Sequence, residues 1–171
     1  VGRRRLVATE ACRSAANGED FLERVHRETG LRLEIIDRQV EAELAAAGCA
    51  VLMSRSAESA LLFDIGGGST EVVWLAADRY GTSIGQRIRQ WTSLPVGVVT
   101  MAERHGGVTV TREGYEAMVA EVAELLKPFL ASIDLRRLGR NFHLLASTTM
   151  RRSFFVLVFL RPSMLTHGAW V

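Results

Sequence analysis

Two short apolar runs, Leu61-Leu62-Phe63 and Val72-Val73-Trp74, flank the polar, glycine-rich string Asp64-Ile65-Gly66-Gly67-Gly68-Ser69-Thr70-Glu71. Runs of large apolar, β-branched and aromatic residues on either side of a glycine cluster predict two strands of a β-hairpin. Three successive residues without a Cβ let a polyanion approach the main chain and let neighbouring N–H groups converge on it. The stretch therefore reads as a hairpin folded around a phosphate, with Ser69 and Thr70 adding hydroxyl donors.

Upstream, residues 6–9 read as a short strand leading into an alanine-rich helical turn over 10–16. Asn17 is placed to cap a second helix, with Glu19 and Asp20 in its first turn, Phe21, Leu22 and Val25 on its buried face, and Gly30 at its end. A strand over 31–36 follows. Asp37 then caps a helix that Gly48 is expected to stop. Downstream, 84–91 reads as a strand, and Ser93-Leu94-Pro95-Val96-Gly97 as a turn into a helix that starts at Pro95 and reaches His105. Thr111 opens a long helix whose apolar positions, Tyr115, Met118, Val119, Val122, Leu125, Leu126 and Phe129, recur at helical spacing. Residues 142–145 form a last strand, and 154–160 are apolar without either period.

Composition narrows the class. The 171 residues are 48% hydrophobic and 23% charged, the balance of a globular domain with a real core. No apolar run approaches the ~18–20 residues of a membrane span, and the arginine-rich start lacks a signal peptide's apolar segment. A cytoplasmic protein that does not enter membranes is the expectation. Cys12 and Cys49 show no ligand spacing and are expected to be buried free thiols. After Asp134 come six arginines and no acid, leaving the other 15 basic side chains against all 19 acids. That asymmetry sets the tail apart, but its arginines lack the aromatic and glycine pattern of an RNA-binding sheet, so no nucleic-acid partner is expected.

Chemistry-bearing residues gather at strand ends. Arg13 follows the first strand, Glu41 lies in the first turn of the helix after the second, and Asp64 ends the strand entering the glycine turn. In open α/β sheets ligands bind at the carboxyl ends of strands, so these three are expected at one edge. Asp64 and Glu71 are suited to a hard cation that neutralises phosphate charge. The string has no Gly-Lys-Ser/Thr ending, and its turn leads into a strand, which excludes a P-loop and a dinucleotide fingerprint.

The string from Asp64 to Glu71 resembles the second phosphate motif, Asp-x-Gly-Gly-Gly-[ST]-x-Glu, of the actin/hsp70/sugar-kinase superfamily, and in particular the exopolyphosphatase/guanosine pentaphosphate phosphohydrolase (Ppx/GppA) family. Ala8-Thr9-x-Ala11-x-Arg13-x-Ala15-x-Asn17, Ile35-Ile36 followed by Glu41-Ala42-x-Leu44, and Ser93-Leu94-Pro95-x-Gly97 are similar to further segments of that family. Asp37-Arg38 stands where Ser-Gly is usual, Val40 replaces a glutamate and Glu43 an arginine. The family's second glycine-rich turn is replaced by Ala146-Ser147-Thr148-Thr149-Met150, and its first phosphate motif, an Asp-x-Gly, is not found.

The resemblance, over about residues 5–146, implies an α/β fold of ribonuclease-H-like, actin-like ATPase type, with a mixed sheet and flanking helices. It implies the end of a first domain over 1–59, the start of a second over 60–150, and an atypical tail over 151–171. It implies hydrolysis of a terminal phosphoanhydride of polyphosphate or guanosine pentaphosphate with Mg2+. Gly66, Gly67, Gly68, Ser69 and Thr70 would bind phosphate, Asp64 and Glu71 would hold the metal or position water, Arg13 would contact phosphate, and Glu41 would be the base. A kinase of the same superfamily and a non-catalytic phosphate- or nucleotide-binding module are the alternatives, and homodimerisation is left open.

Overall fold

The computed structural model describes residues 4–77, 81–107, 109–138 and 141–148. The chain divides between Glu41 and Ala42 into two units, whereas the sequence reading draws its boundary after residue 59. The atypical tail expected over 151–171, with Thr149 and Met150, lies outside the described residues.

In the first unit, β1 (Val7–Ala8) pairs in parallel with β2 (Glu34–Ile35). Between them run α1 (Glu10–Ser14) and α2 (Gly18–Thr29). Gly18 is where the two helices meet: a β-carbon there would collide with the Cys12 carbonyl. Gly30 ends α2 at φ 72°, its N–H donating to His26 O at 2.8 Å, the left-handed cap for which glycine is suited. Leu22 is buried, but Phe21 is 49% exposed, so the expected buried face of α2 is narrower than its apolar spacing. The second strand is shorter than the expected 31–36 run, since β1 offers it only two partners.

Helix α3 (Arg38–Ala50) begins where the Asp37 carboxylate accepts the Val40 N–H at 2.8 Å. It passes through Gly48 without stopping. Gly48 does not take the positive φ that a glycine cap adopts.

The second unit is built on a four-stranded mixed sheet in the order β5-β4-β3-β6. β3 (Ser59–Ile65) and β4 (Thr70–Ala76) form the expected antiparallel hairpin, β6 (Phe142–Thr148) runs parallel to β3, and β5 (Ile88–Leu94) runs antiparallel to β4. Strand alternation divides the side chains between two faces. On one, Ala60, Leu62, Val73, Leu75 and Leu145 pack with Ala42, Ala46 and Cys49 of α3; these small residues let the helix lie close to the sheet. On the other, Leu61, Val72, Leu94 and Val96 pack with Phe129 of α6 (Arg112–Ser132).

Three local expectations are corrected. The strand expected over 84–91 starts as a helical turn, α4 (Ile84–Arg87), because Ser83 and Gln86 form a capping box, and the strand begins only at Ile88. Ser93 and Leu94 belong to β5, and α5 (Val98–Arg104) starts after Gly97, not at Pro95. In α6, Thr111 caps as expected, accepting the Gly114 N–H at 3.1 Å. Tyr115, however, is 62% exposed and Val119 is exposed as well; packing is confined to Val122, Leu125, Leu126 and Phe129. Among the described residues no helix is long and apolar enough to cross a membrane.

Candidate functional site

The hairpin turn is held from outside by the segment that follows β5. Gly66 N–H donates to Ser69 O at 2.9 Å, closing the turn on itself. The carbonyl of Gly66 accepts the Val98 N–H at 3.0 Å, and that of Gly67 accepts those of Val99 at 2.9 Å and Thr100 at 3.3 Å. The first-turn amides of α5, which a helix leaves without intrahelical partners, are thus occupied by the glycine turn. No peptide bond in the described chain is cis, and in a trans peptide C=O and N–H point in opposite directions. Anchoring these two carbonyls on α5 therefore turns the Gly67 and Gly68 N–H groups away from it, side by side. Gly66, Gly67 and Gly68 do not have positive φ, so the turn does not need glycine for its backbone angles.

Two contacts fix this arrangement. A β-carbon on Gly97 would lie 2.5 Å from Gly66 O and from Gly67 C and O, so only glycine permits the approach. The Thr70 hydroxyl, buried, donates to Val96 O at 2.7 Å. Its one proton is used inside the chain, which leaves lone pairs alone to face a ligand. Ser69 is buried beside it.

The acids stand next to the turn. Asp64 and Glu71 are direct partners in the β3–β4 ladder, and each has a further partner across the sheet: Ser93 opposite Glu71, Ser147 opposite Asp64. Directly paired residues project to the same face, so Ser93, Glu71, Asp64 and Ser147 form one polar row across all four strands. Ser93 Oγ donates to Glu71 Oε1 at 2.8 Å, and Ser147 Oγ donates to Asp64 Oδ1. Glu71 is only 1% exposed. Like charges directly opposite in a ladder repel, and two carboxylates presented together are a donor set for a hard cation whose remaining ligands are water and phosphate oxygens. Among the described residues no group of three or more His, Cys, Asp and Glu could hold a metal ion. Beneath the row, burial pushes the Cys49 thiol above its ordinary pKa; its hydrogen bond with Ser147 opposes this and the Asp64 charge adds to it.

In the first unit Arg13 and Glu41 are brought together. Arg13 Nη1 donates to Ile36 O at 2.6 Å, and Nη2 to Glu10 Oε2 at 2.6 Å and Glu41 Oε2 at 3.0 Å, while Nε is buried with no hydrogen-bond partner. Burial works to lower the Arg13 pKa, but the bonds to Glu10 and Glu41 outweigh it and raise it. Glu10 is held at about 2, chiefly by the Ser14 hydroxyl and, against the cost of burial, by Arg13 and Arg38. The unusual Asp37-Arg38 pair thus does structural work: Asp37 caps α3, and Arg38 Nη2 donates to Glu10 at 3.1 and 3.2 Å.

Sequence reasoning quoted Ser93 and Gly97 without giving them a role, treated 146–150 as a lost motif, and passed over Glu10. The signal for Glu10 was its spacing of three from Arg13 on one helical turn. Ser147 had no local signal, because only the parallel register of β6 on β3 places it opposite Asp64.

The pattern of the Ppx/GppA phosphatase family matches residues 2–165, further than residue 146, where the motif-by-motif resemblance ends. Among solved structures, the chain is similar to an exopolyphosphatase-like protein, with 30% identity, a TM-score of 0.67, and 83% of this chain and 42% of that one covered. It is similar to the Ppx/GppA enzyme of Aquifex aeolicus at 30% identity and TM-score 0.58, covering 85% and 44%. It is also similar to an exopolyphosphatase from Cytophaga hutchinsonii at 25% and 0.66, covering 82% and 42%. The chain spans less than half the length of these relatives. The mixed sheet with helices on both faces and these likenesses place the fold in the actin-like ATPase superfamily, and the chain is a member of the Ppx/GppA phosphatase family.

Proposed function

We propose that this chain carries phosphate-binding and catalytic elements of a cytoplasmic phosphoanhydride hydrolase that removes the terminal phosphate of inorganic polyphosphate or guanosine pentaphosphate. The observation that carries the reading is the anchoring of the Gly66 and Gly67 carbonyls on α5, which presents the Gly67 and Gly68 N–H groups together beside two carboxylates. Phosphoryl transfer is mainly positioning and charge neutralisation, and fixed main-chain donors supply both without reorganising.

In this reading the Gly67 and Gly68 amides and Ser69 hold phosphate oxygens, Gly66 closes the turn through its N–H to Ser69 O, and Thr70 braces the turn through Val96. Asp64 and Glu71 would hold Mg2+, which when bound would neutralise phosphate charge. Glu41 takes the proton of the attacking water. Arg13, spending its terminal nitrogens on Glu10, Glu41 and Ile36, orients that base in addition to any contact with phosphate.

The test is release of orthophosphate from polyphosphate and from guanosine pentaphosphate with Mg2+. Glu41→Gln keeps size and hydrogen bonding but cannot take a proton, so turnover should fall by roughly 10²–10⁴ while substrate binding persists. Turnover at the wild-type rate would remove Glu41 as base and make Glu71 the candidate. Tight phosphate binding without any release by the wild type would favour the non-catalytic module.

A further inference from the structure

Ser147 lies on β6, where the resemblance expects a glycine-rich turn, and the reading above gives it no part. Its position is nevertheless specific. It is buried, it is the direct ladder partner of Asp64 across the β3–β6 pairing, and its hydroxyl donates to Asp64 Oδ1. An ionised carboxylate only accepts hydrogen bonds, so the single Ser147 proton is committed to it. That bond fixes the serine rotor and one carboxylate oxygen. Ser93 does the same for Glu71 from the opposite edge strand.

We propose that Ser147 is a positioning residue for the Asp64 carboxylate: by holding Oδ1 from the outer strand, it directs the other oxygen toward a divalent cation shared with phosphate. This rests on the reading of Asp64 as a cation ligand. Groups that hydrogen-bond a metal-binding carboxylate govern its orientation, and their loss typically costs about 10–100-fold in metal affinity.

The experiment is Mn2+ binding to the chain, followed by electron paramagnetic resonance with tripolyphosphate present. The variants are Asp64→Asn, Ser147→Ala and the pair Ser147→Thr and Ser147→Val, which share a shape and differ only in the hydroxyl. Folding is checked by circular dichroism. Ser147→Ala is expected to weaken Mn2+ binding about tenfold or more, with Thr keeping affinity near wild type and Val losing it. A merely structural serine would lower thermal stability and leave the Mn2+ affinity of the folded protein unchanged. If Asp64→Asn loses binding while Ser147→Ala or Ser147→Val keeps wild-type affinity, the inference is wrong and the cation reading stands. If the wild type does not bind Mn2+, or Asp64→Asn binds as the wild type does, both are wrong.

Discussion

Gly97 and Gly67 approach so closely that a β-carbon on Gly97 would sit 2.5 Å from the Gly67 carbonyl carbon and oxygen. The glycine of the Ser-Leu-Pro-x-Gly segment therefore serves the hairpin turn as well as opening α5. Gly97→Ala should push the turn off α5, costing ~1–3 kcal/mol by overpacking and weakening tripolyphosphate binding. Gly67→Ala is the informative comparison, because a β-carbon there meets nothing nearer than Val99 Cγ2 at 3.5 Å. It should fold with near wild-type stability. Denaturant unfolding and calorimetric titration of both variants check the pair, and equal stability of the Gly97 variant and wild type would contradict the contact.

Ser93→Ala should destabilise the second unit. Glu71 is 1% exposed and accepts the Ser93 hydroxyl at 2.8 Å. Removing a donor from a buried carboxylate costs about 1–3 kcal/mol. Urea unfolding measures it, and Ser93→Thr, which keeps a hydroxyl, should recover most of the loss.

The first unit should weaken only in strong acid. Glu10 is lowered from 4.5 to about 2. A depressed folded-state pKa contributes stability that is fully present above the unfolded value and is lost as pH falls through the folded one. The Glu10 contribution should therefore hold above about pH 4.5 and disappear toward pH 2. Carboxyl NMR should give a Glu10 midpoint near 2, and Glu10→Gln should remove this part of the pH dependence. A midpoint near 4.5 would contradict the Ser14, Arg13 and Arg38 contacts.

The parts of this molecule that were legible in the sequence are those fixed by neighbours along the chain. The β3–β4 hairpin follows from two apolar runs and a glycine cluster, the α2 cap from Gly30, the α6 start from Thr111, and the place of Glu41 from a strand followed by Asp37. What was not legible depends on contacts between distant residues. Ser147 meets Asp64 through a register set 83 positions away in sequence, and Gly97 meets the turn through a fold-back after β5. Tyr115 and Phe21 show the converse, since helical spacing identifies an apolar face but not how much of it another element covers. In α4 a local signal overrode the expected strand, because the Ser83–Gln86 box favours a helical turn at the start of the run from 84 to 91.

The account turns on the two N–H groups that α5 sets facing away from it. The most direct test is a 15N-resolved NMR titration of the chain with tripolyphosphate and Mg2+, following the amides of Gly67 and Gly68. The account predicts that these two resonances move furthest downfield of all, saturably, and that the shifts vanish in Gly97→Ala. Shifts confined to amides elsewhere, with Gly67 and Gly68 unmoved at saturation, would contradict it.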